Sequence, residues 1–231
     1  MAPIRRVWVT RAEPGAARTA DRLTGLGFTP LVVPLLTLAP LPGALDAAPS
    51  PDAVAVLALT SPNGVEAFAP LIPRFRDHPV FAVGDATAEA ARAAGFADVR
   101  SAAGDIHALA RLIAAEAPPG PLLAPGAREP AGDLPALLPG RPVQRLPVYA
   151  AFETHAPAPD AFDAVMLHSP RAARALAAEL PRDASSGRVA ICISEAAAVP
   201  VRAFDFAEIR ITAAPDEPAM LSALGKPAAP V

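Results

Sequence analysis

Two Ser-Pro steps, Ser61-Pro62 and Ser169-Pro170, stand 108 positions apart, and each lies where an apolar run gives way to a helix-like segment. The first reads Leu59-Thr60-Ser61-Pro62-Asn63-Gly64, the second Leu167-His168-Ser169-Pro170-Arg171-Ala172. A further pair follows at an offset of 110, Val83-Gly84-Asp85-Ala86-Thr87 against Ile193-Ser194-Glu195-Ala196-Ala197. If the apolar runs are strands, these residues occupy loops beyond strand ends and the first turns of helices, where backbone N–H groups carry partial positive charge. Such loops suit the recognition of anions, carboxylates in particular. Thr10, Arg11, Ser61, Asn63, Gly84, Thr87, Gly126, Arg128, Ser169 and Ser194 are the candidates for that work. Taken singly, Ser61, Thr87 and Ser169 read first as helix caps, and it is their recurrence at equivalent loops that favours a site.

Other reactive side chains are sparse. Tyr149 is the only tyrosine, and its phenol faces either a binding site or the interior. The four histidines (78, 107, 155, 168) show no ligand spacing. His168, beside Ser169, reads as an exposed strand-end residue, with local proton donation as the alternative. Cys192, the single cysteine, sits in an apolar run and reads as a small core residue. Asp85 and Glu195 stand at helix starts, where the dipole favours a carboxylate. No G-x-G-x-x-G and no phosphate-loop motif is present, which sets aside a nucleotide-dependent regulator.

The elements that must position these residues alternate. A strand at Val7–Thr10 precedes a helix over Ala16–Leu26, whose apolar spacing uses Ala20, Leu23 and Leu26 and which ends at Gly27. Thr29–Leu41 is extended, with prolines at 30, 34 and 40. The middle section gives strands at Val54–Leu59, Val80–Val83, Val99 and Pro121–Ala124, and helices over Gly64–Leu71, Ala86–Ala94, Ile106–Glu116 and Leu134–Leu138. An extended run, Val143–Ala151, closes it. The last section gives strands at Ala164–Leu167, Val189–Ile193 and Ile209–Ile211, and helices over Arg171–Glu179, Ala196–Ala203 and Pro218–Leu224. Strand–helix alternation predicts α/β architecture with parallel sheets covered on both faces.

Thr10-Arg11-Ala12-Glu13-Pro14 also resembles Gly126-Ala127-Arg128-Glu129-Pro130, yet the first stands at the N-terminus and the second late in the middle section. The two copies are therefore interleaved. We expect a discontinuous domain (1–33 plus 156–231), an inserted domain (43–144) and two hinge strands (34–42 and 145–155), with a binding site between the domains.

The 231 residues are 52% hydrophobic and 19% charged, which excludes a disordered chain. A net charge of −3 with scattered basic residues argues against nucleic acid as a partner. One cysteine fits a reducing compartment. The start from Met1 lacks the apolar core of a signal peptide, and no run is long enough to span a membrane, so a cytoplasmic protein without membrane attachment is expected. The 30 prolines punctuate segment ends, with a loose tail expected from Gly225 to Val231.

The order Val9-Thr10-Arg11, Leu26-Gly27-Phe28, Pro34-Leu35, Thr60-Ser61-Pro62-Asn63-Gly64-Val65, Val83-Gly84-Asp85-Ala86-Thr87-Ala88, Gly126, Val148-Tyr149 and Ser169-Pro170 resembles uroporphyrinogen-III synthase across essentially the whole chain. That resemblance implies a two-domain α/β monomer, free of metal and organic cofactor, that closes the linear tetrapyrrole hydroxymethylbilane into uroporphyrinogen III with inversion of the fourth ring. It implies that Tyr149 assists departure of the hydroxyl and that Ser61, Thr87, Ser169 and Ser194 line the substrate site. The chain departs from the family pattern at Ala197, where a threonine is usual, and at Pro125, where an arginine commonly precedes Gly126. The competing expectation is a non-catalytic, two-lobed binding protein for a small polyanion.

Overall fold

The computed structural model describes residues 4–227. The ends of the chain, including the last four residues of the expected loose tail, lie outside the described residues. β1 (Arg6–Val9) is built from Arg-Val-Trp-Val, and its last three residues are fully buried. After it come α1 (Gly15–Gly25), β2 (Thr29–Val32) and β3 (Leu36–Pro40). The middle of the chain forms β4 (Val56–Leu59), α2 (Pro62–Phe68), α3 (Ile72–Phe75), β5 (Val80–Ala82), α4 (Asp85–Ala93), β6 (Val99–Ser101) and α5 (Ile106–Glu116). β7 (Leu122–Ala127), α6 (Leu134–Leu137) and β8 (Val143–Glu153) complete it. The last section holds β9 (Ala164–Leu167), α7 (Pro170–Glu179), β10 (Val189–Cys192), α8 (Glu195–Ala198), β11 (Glu208–Ile211) and α9 (Glu217–Leu224).

The chain divides into two units, one of Met1–Leu38 with Ala151–Val231 and one of Ala39–Ala150. The first holds a five-stranded sheet in the order β11-β10-β9-β1-β2, every neighbouring pair parallel. The second sheet has the order β3-β8-β7-β4-β5-β6, with parallel pairs from β8 to β6. β3 runs antiparallel to β8, since Leu41 N–H donates to Val148 O at 2.9 Å and Thr154 N–H to Leu35 O at 3.1 Å. These are the strands by which the chain leaves the first unit and returns.

Set side by side, β2-β1-β9-β10-β11 and β8-β7-β4-β5-β6 are the same doubly wound arrangement. β1 is the counterpart of β7, and β9 of β4, as the Thr10-Arg11 and Ser-Pro repeats require. Alternation along β1 sends Val7 and Val9 to a core shared with Leu23 of α1 and Met220 of α9. Trp8 goes to the opposite face with Leu176 and Val201, where its ring meets Phe162 edge-on at 5.1 Å and its Nε1 donates to Val33 O at 2.8 Å. In the second unit Leu57, Leu59, Phe68 and Phe75 fill one face, and Phe81, Leu109 and Ile113 the other.

Several sequence readings need correction. Thr29–Leu41 is two strands, because Val33 and Leu35 donate to Val9 O and Thr10 O and so follow the end of β1 before β3 begins. β7 continues through Pro125 and Gly126 to Ala127, where a loop was expected. Its register with β4 runs only through Leu123, so the missing N–H of Pro125 interrupts no bond on that side. α3 was not anticipated, and Pro73 sits in its first turn, where proline is tolerated. In α1 the buried positions are Gly15, Ala16, Thr19 and Leu23, whereas Leu26 is 50% exposed.

Candidate functional site

In open parallel sheets, ligands are received beyond the carboxyl ends of the strands, at the point where the strand order reverses. In the second unit that point lies between β4 and β7. Ser61 follows β4 with extended backbone (φ −161°, ψ 152°), and its Oγ accepts from Gly64 N–H at 3.1 Å as the cap of α2. A Cβ on Gly64 would stand 3.2 Å from Pro125 O, so a glycine there lets the first turn of α2 lie close against β7.

β8 delivers the tyrosine. Leu146, Val148 and Ala150 alternate inward, and Tyr149 is half-buried between them. The ladder between β7 and β8 shifts here: Gly126 pairs with Pro147 and Ala127 with Tyr149, leaving Val148 as an extra residue. Such a bulge re-aims neighbouring side chains. Arg128 N–H donates to Tyr149 O at 2.9 Å, which fixes the backbone beyond it. The phenol then stands 2.9 Å from Ser61 Oγ, and either oxygen is able to donate. With one lone pair of Ser61 occupied by Gly64 N–H, the serine proton is free to point at the phenol, leaving the phenol proton for a ligand oxygen.

Of the remaining candidates of this unit, Arg128 bonds the pair through its backbone N–H. Asn63 is half-buried in the first turn of α2, Gly84 caps α4 with extended backbone, and Gly126 lies within β7. Thr87 is 3% exposed. Arg128 is exposed, and its carbonyl accepts from Arg145 at 3.1 Å. Asp85, at the start of α4, accepts from Ser101 Oγ at 2.7 Å.

In the first unit the strand order reverses between β1 and β9. Thr10 is fully buried, and its hydroxyl donates to Met166 O at 2.6 Å, stitching the two strands together. Ser169 repeats the geometry of Ser61 (φ −164°, ψ 156°; Ala172 N–H to Oγ 3.1 Å), and Ser194 caps α8 through Ala197 N–H at 3.3 Å. The cap reading thus holds for Ser61 and Ser169 but not for Thr87, which lies inside α4 behind its cap Gly84, and of the three capping serines Ser61 alone also contacts a phenol. Ala197 is fully buried among the residues of the sheet-facing core.

The sequence did not single out the polar cluster over the carboxyl end of this sheet. Glu217, the first residue of α9, accepts from Arg11 Nη1 at 3.0 Å and bonds His168 Nε2 at 3.0 Å, both through Oε2. Thr19 donates to its Oε1 at 2.5 Å. Burial opposes the charge of Glu217, but the hydrogen bonds from His168 and Thr19, with the charges of His168 and Arg11, hold its carboxyl at about 2, against an ordinary 4.5. His168 corrects its sequence reading: its side chain is only 8% exposed, and its Nδ1 is buried with no hydrogen-bond partner among the described residues. The available signal was Thr19, a hydroxyl on the buried stripe of α1.

Among the described residues no group of three or more His, Cys, Asp or Glu side chains is placed to hold a metal ion. No described helix is long and apolar enough to cross a membrane.

Comparison with known proteins gives a consistent result. The family model described as uroporphyrinogen-III synthase HemD matches residues 17–222. Among solved structures, a mutant uroporphyrinogen III synthase from the extremely thermophilic bacterium Thermus thermophilus aligns with a TM-score of 0.53 at 18% identity, covering 95% of this chain and 96% of that one. The wild-type protein from the same organism, in another crystal form, aligns at 0.46 and 18% identity over 89% and 91% of the two chains. No curated protein matches. At this identity the structural likeness speaks for the two-domain α/β fold, while the family match spans most of the sequence.

Proposed function

The chain belongs to the uroporphyrinogen-III synthase family, a family of tetrapyrrole-cyclising enzymes, and from that premise we propose that it converts hydroxymethylbilane to uroporphyrinogen III with inversion of ring D. Loss of the hydroxymethyl oxygen as water, with departure of a pyrrole N–H proton, gives an azafulvene. The substituted α-carbon of ring D attacks it to form a spiro intermediate. That intermediate fragments and recloses at the other α-carbon, so the net change is loss of one water.

The observation that carries the assignment of a site is the hydrogen bond between Tyr149 and Ser61, 2.9 Å long, at the carboxyl end of the second unit's sheet. In this reading Tyr149 is the catalytic residue that donates to the leaving hydroxyl, and Ser61 orients it. A phenol is a weak acid, so its contribution is to hydrogen-bond the departing oxygen as charge develops on it. The substrate's carboxylates are received by backbone N–H groups and hydroxyls at helix starts, among them those near Asn63, Gly84, Ser169 and Ser194, and by Arg11 and Arg128. Holding the chain ends in place supplies much of the rate, because unaided closure takes the geometry that gives the other isomer. The enzyme works without metal or organic cofactor, as a cytoplasmic monomer.

The test is to supply purified protein with hydroxymethylbilane generated in situ and separate the product isomers by chromatography. Type III product is expected; type I alone would overturn the reading.

A further inference from the structure

The cluster around Arg11 exists in only one of the two duplicated units. Register between the copies aligns Thr10-Arg11-Ala12-Glu13-Pro14-Gly15 with Gly126-Ala127-Arg128-Glu129-Pro130-Ala131. His168, the first residue after β9, corresponds to Thr60, the first after β4. Glu217 follows Asp216, which caps α9 through Ala219 N–H at 2.8 Å; Ile106 follows Asp105, which caps α5 through Ala108 N–H at the same distance. Where the first unit has Arg11, Gly15, His168 and Glu217, the second therefore has Ala127, Ala131, Thr60 and Ile106. The four positions differ together, and the second unit folds into the same sheet without the polar set. Ile106 instead packs against Gly132, whose Cβ would meet it at 3.0 Å.

Gly15, Thr19 and Glu217 bear on one guanidinium, and His168 reaches it only through Glu217. A Cβ on Gly15 would lie 2.4 Å from Arg11 Nε and 2.8 Å from its Cζ, so the guanidinium rests directly on the first turn of α1, in space that only glycine leaves. The backbone of Gly15 is ordinary helix and gives no other reason for a glycine. Glu217 takes Nη1 at 3.0 Å, and Thr19 supports the opposite oxygen of that carboxylate. His168 shares Oε2 with Arg11 and leaves its own Nδ1 buried with no partner among the described residues, an unfavourable feature that the cluster retains. Arg11 keeps 34% of its side-chain surface, whereas Glu217 keeps 11%. The acid is the inner, buried partner, and the guanidinium is the face offered outward.

We propose that Gly15, Thr19 and Glu217 are positioning residues that hold the Arg11 guanidinium in one orientation to receive a carboxylate of the substrate. The duplication allows this specialisation: one copy carries the hydroxyl pair at its strand ends, and the other a fixed cation. The inference rests on the reading of the chain as a tetrapyrrole synthase that uses Arg11 for binding.

Its test is a double-mutant cycle. Gly15→Ala and Glu217→Gln are made alone and in an Arg11→Ala background, with KM and kcat measured on hydroxymethylbilane. Affinity for uroporphyrin, an octacarboxylate, is followed in parallel by porphyrin fluorescence. Each single substitution should raise KM and the uroporphyrin dissociation constant about tenfold, as expected for one lost charge-assisted contact, and lower kcat much less. In the Arg11→Ala background neither should add anything. Unchanged KM, tighter binding by Glu217→Gln, or losses that persist without Arg11 would overturn the proposal. Thermal unfolding of each variant identifies a fold defect, and Thr19→Val substitutes for Glu217→Gln if the latter fails to fold. If the wild type yields only type I product, the proposed function fails by itself, while the uroporphyrin cycle still judges the positioning of Arg11.

Discussion

Replacing Tyr149 by phenylalanine removes one oxygen and leaves the ring, which packs against the core of the second unit. The hydrogen bond lost is the 2.9 Å contact to Ser61, neutral and partly buried, so stability should fall by about 1 kcal/mol, or roughly 2–4 °C in melting temperature. The cap of α2 is untouched, because Ser61 still accepts from Gly64 N–H. If the phenol donates to the departing hydroxyl, turnover should fall at least several-fold, toward the ~10² typical of a lost general acid. KM should move less, since the hydroxyl contributes little to holding a polycarboxylate. Slower enzymatic closure leaves more substrate to close unaided, so the fraction of type III isomer should fall together with kcat. The assay is chromatographic separation of the isomers under initial-rate conditions, with folding checked by circular dichroism. A folded variant with kcat within about twofold of wild type and an unchanged isomer ratio would remove Tyr149 from the chemistry.

Ser61→Ala and Ser169→Ala delete caps of the same geometry. Both should lose about 1 kcal/mol, seen as faster amide exchange at Gly64 and Ala172, and Ser61→Ala should lose more because Tyr149 is also left without its partner. Glu217, held at about 2 when folded, adds stability above its unfolded value of 4.5 that disappears as pH falls from there to about 2. Glu217→Gln should therefore flatten the acid limb of a denaturation profile, by about 2 kcal/mol. The Cys192 thiol, pushed up to about 12 by burial and the nearby Glu195, should resist iodoacetamide in the native protein and react only on unfolding. Asp163 accepts from Arg5 N–H at 3.0 Å, from Arg6 N–H at 2.7 Å and from the Arg6 guanidinium at 3.0 Å, so Asp163→Ala should cost about 1–3 kcal/mol in chemical denaturation.

The architecture was legible because its signals were local and doubled. Each Ser-Pro step marks a strand end and a helix start at once, and the displaced Thr10-Arg11 repeat carries the interleaving in the sequence itself. Element ends were less legible where proline and glycine had two meanings. Pro125 and Gly126 read as the end of a strand, yet β7 runs through them because its neighbour on one side stops first. The Ser61–Tyr149 contact joins residues far apart in sequence and depends on a register shift of one residue, which no periodicity announces. The Arg11 cluster was hidden for a different reason. The apolar spacing of α1 points to Ala20, whereas the buried position is Thr19, whose hydroxyl is met by Arg11 and by Glu217, near the other end of the chain.

The pairing of β1 with β9 also sets an order of events during synthesis. Residues of the second unit are contiguous, so every strand of its parallel set has emerged once β8 is made. The first unit cannot close then: Val7 finds its partner Ala164 only after the whole inserted unit has left the ribosome. Until that moment β1, α1 and β2 form a short parallel piece in which β1 as well as β2 is an open edge, the kind of surface that associates with other chains. Rapid completion of the inserted unit shortens the span that β1 must bridge, by bringing β3 and β8 side by side and returning the chain to where it left. Substitutions that slow folding of the second unit should therefore expose the N-terminal segment, and aggregation would begin from residues whose own packing was never altered.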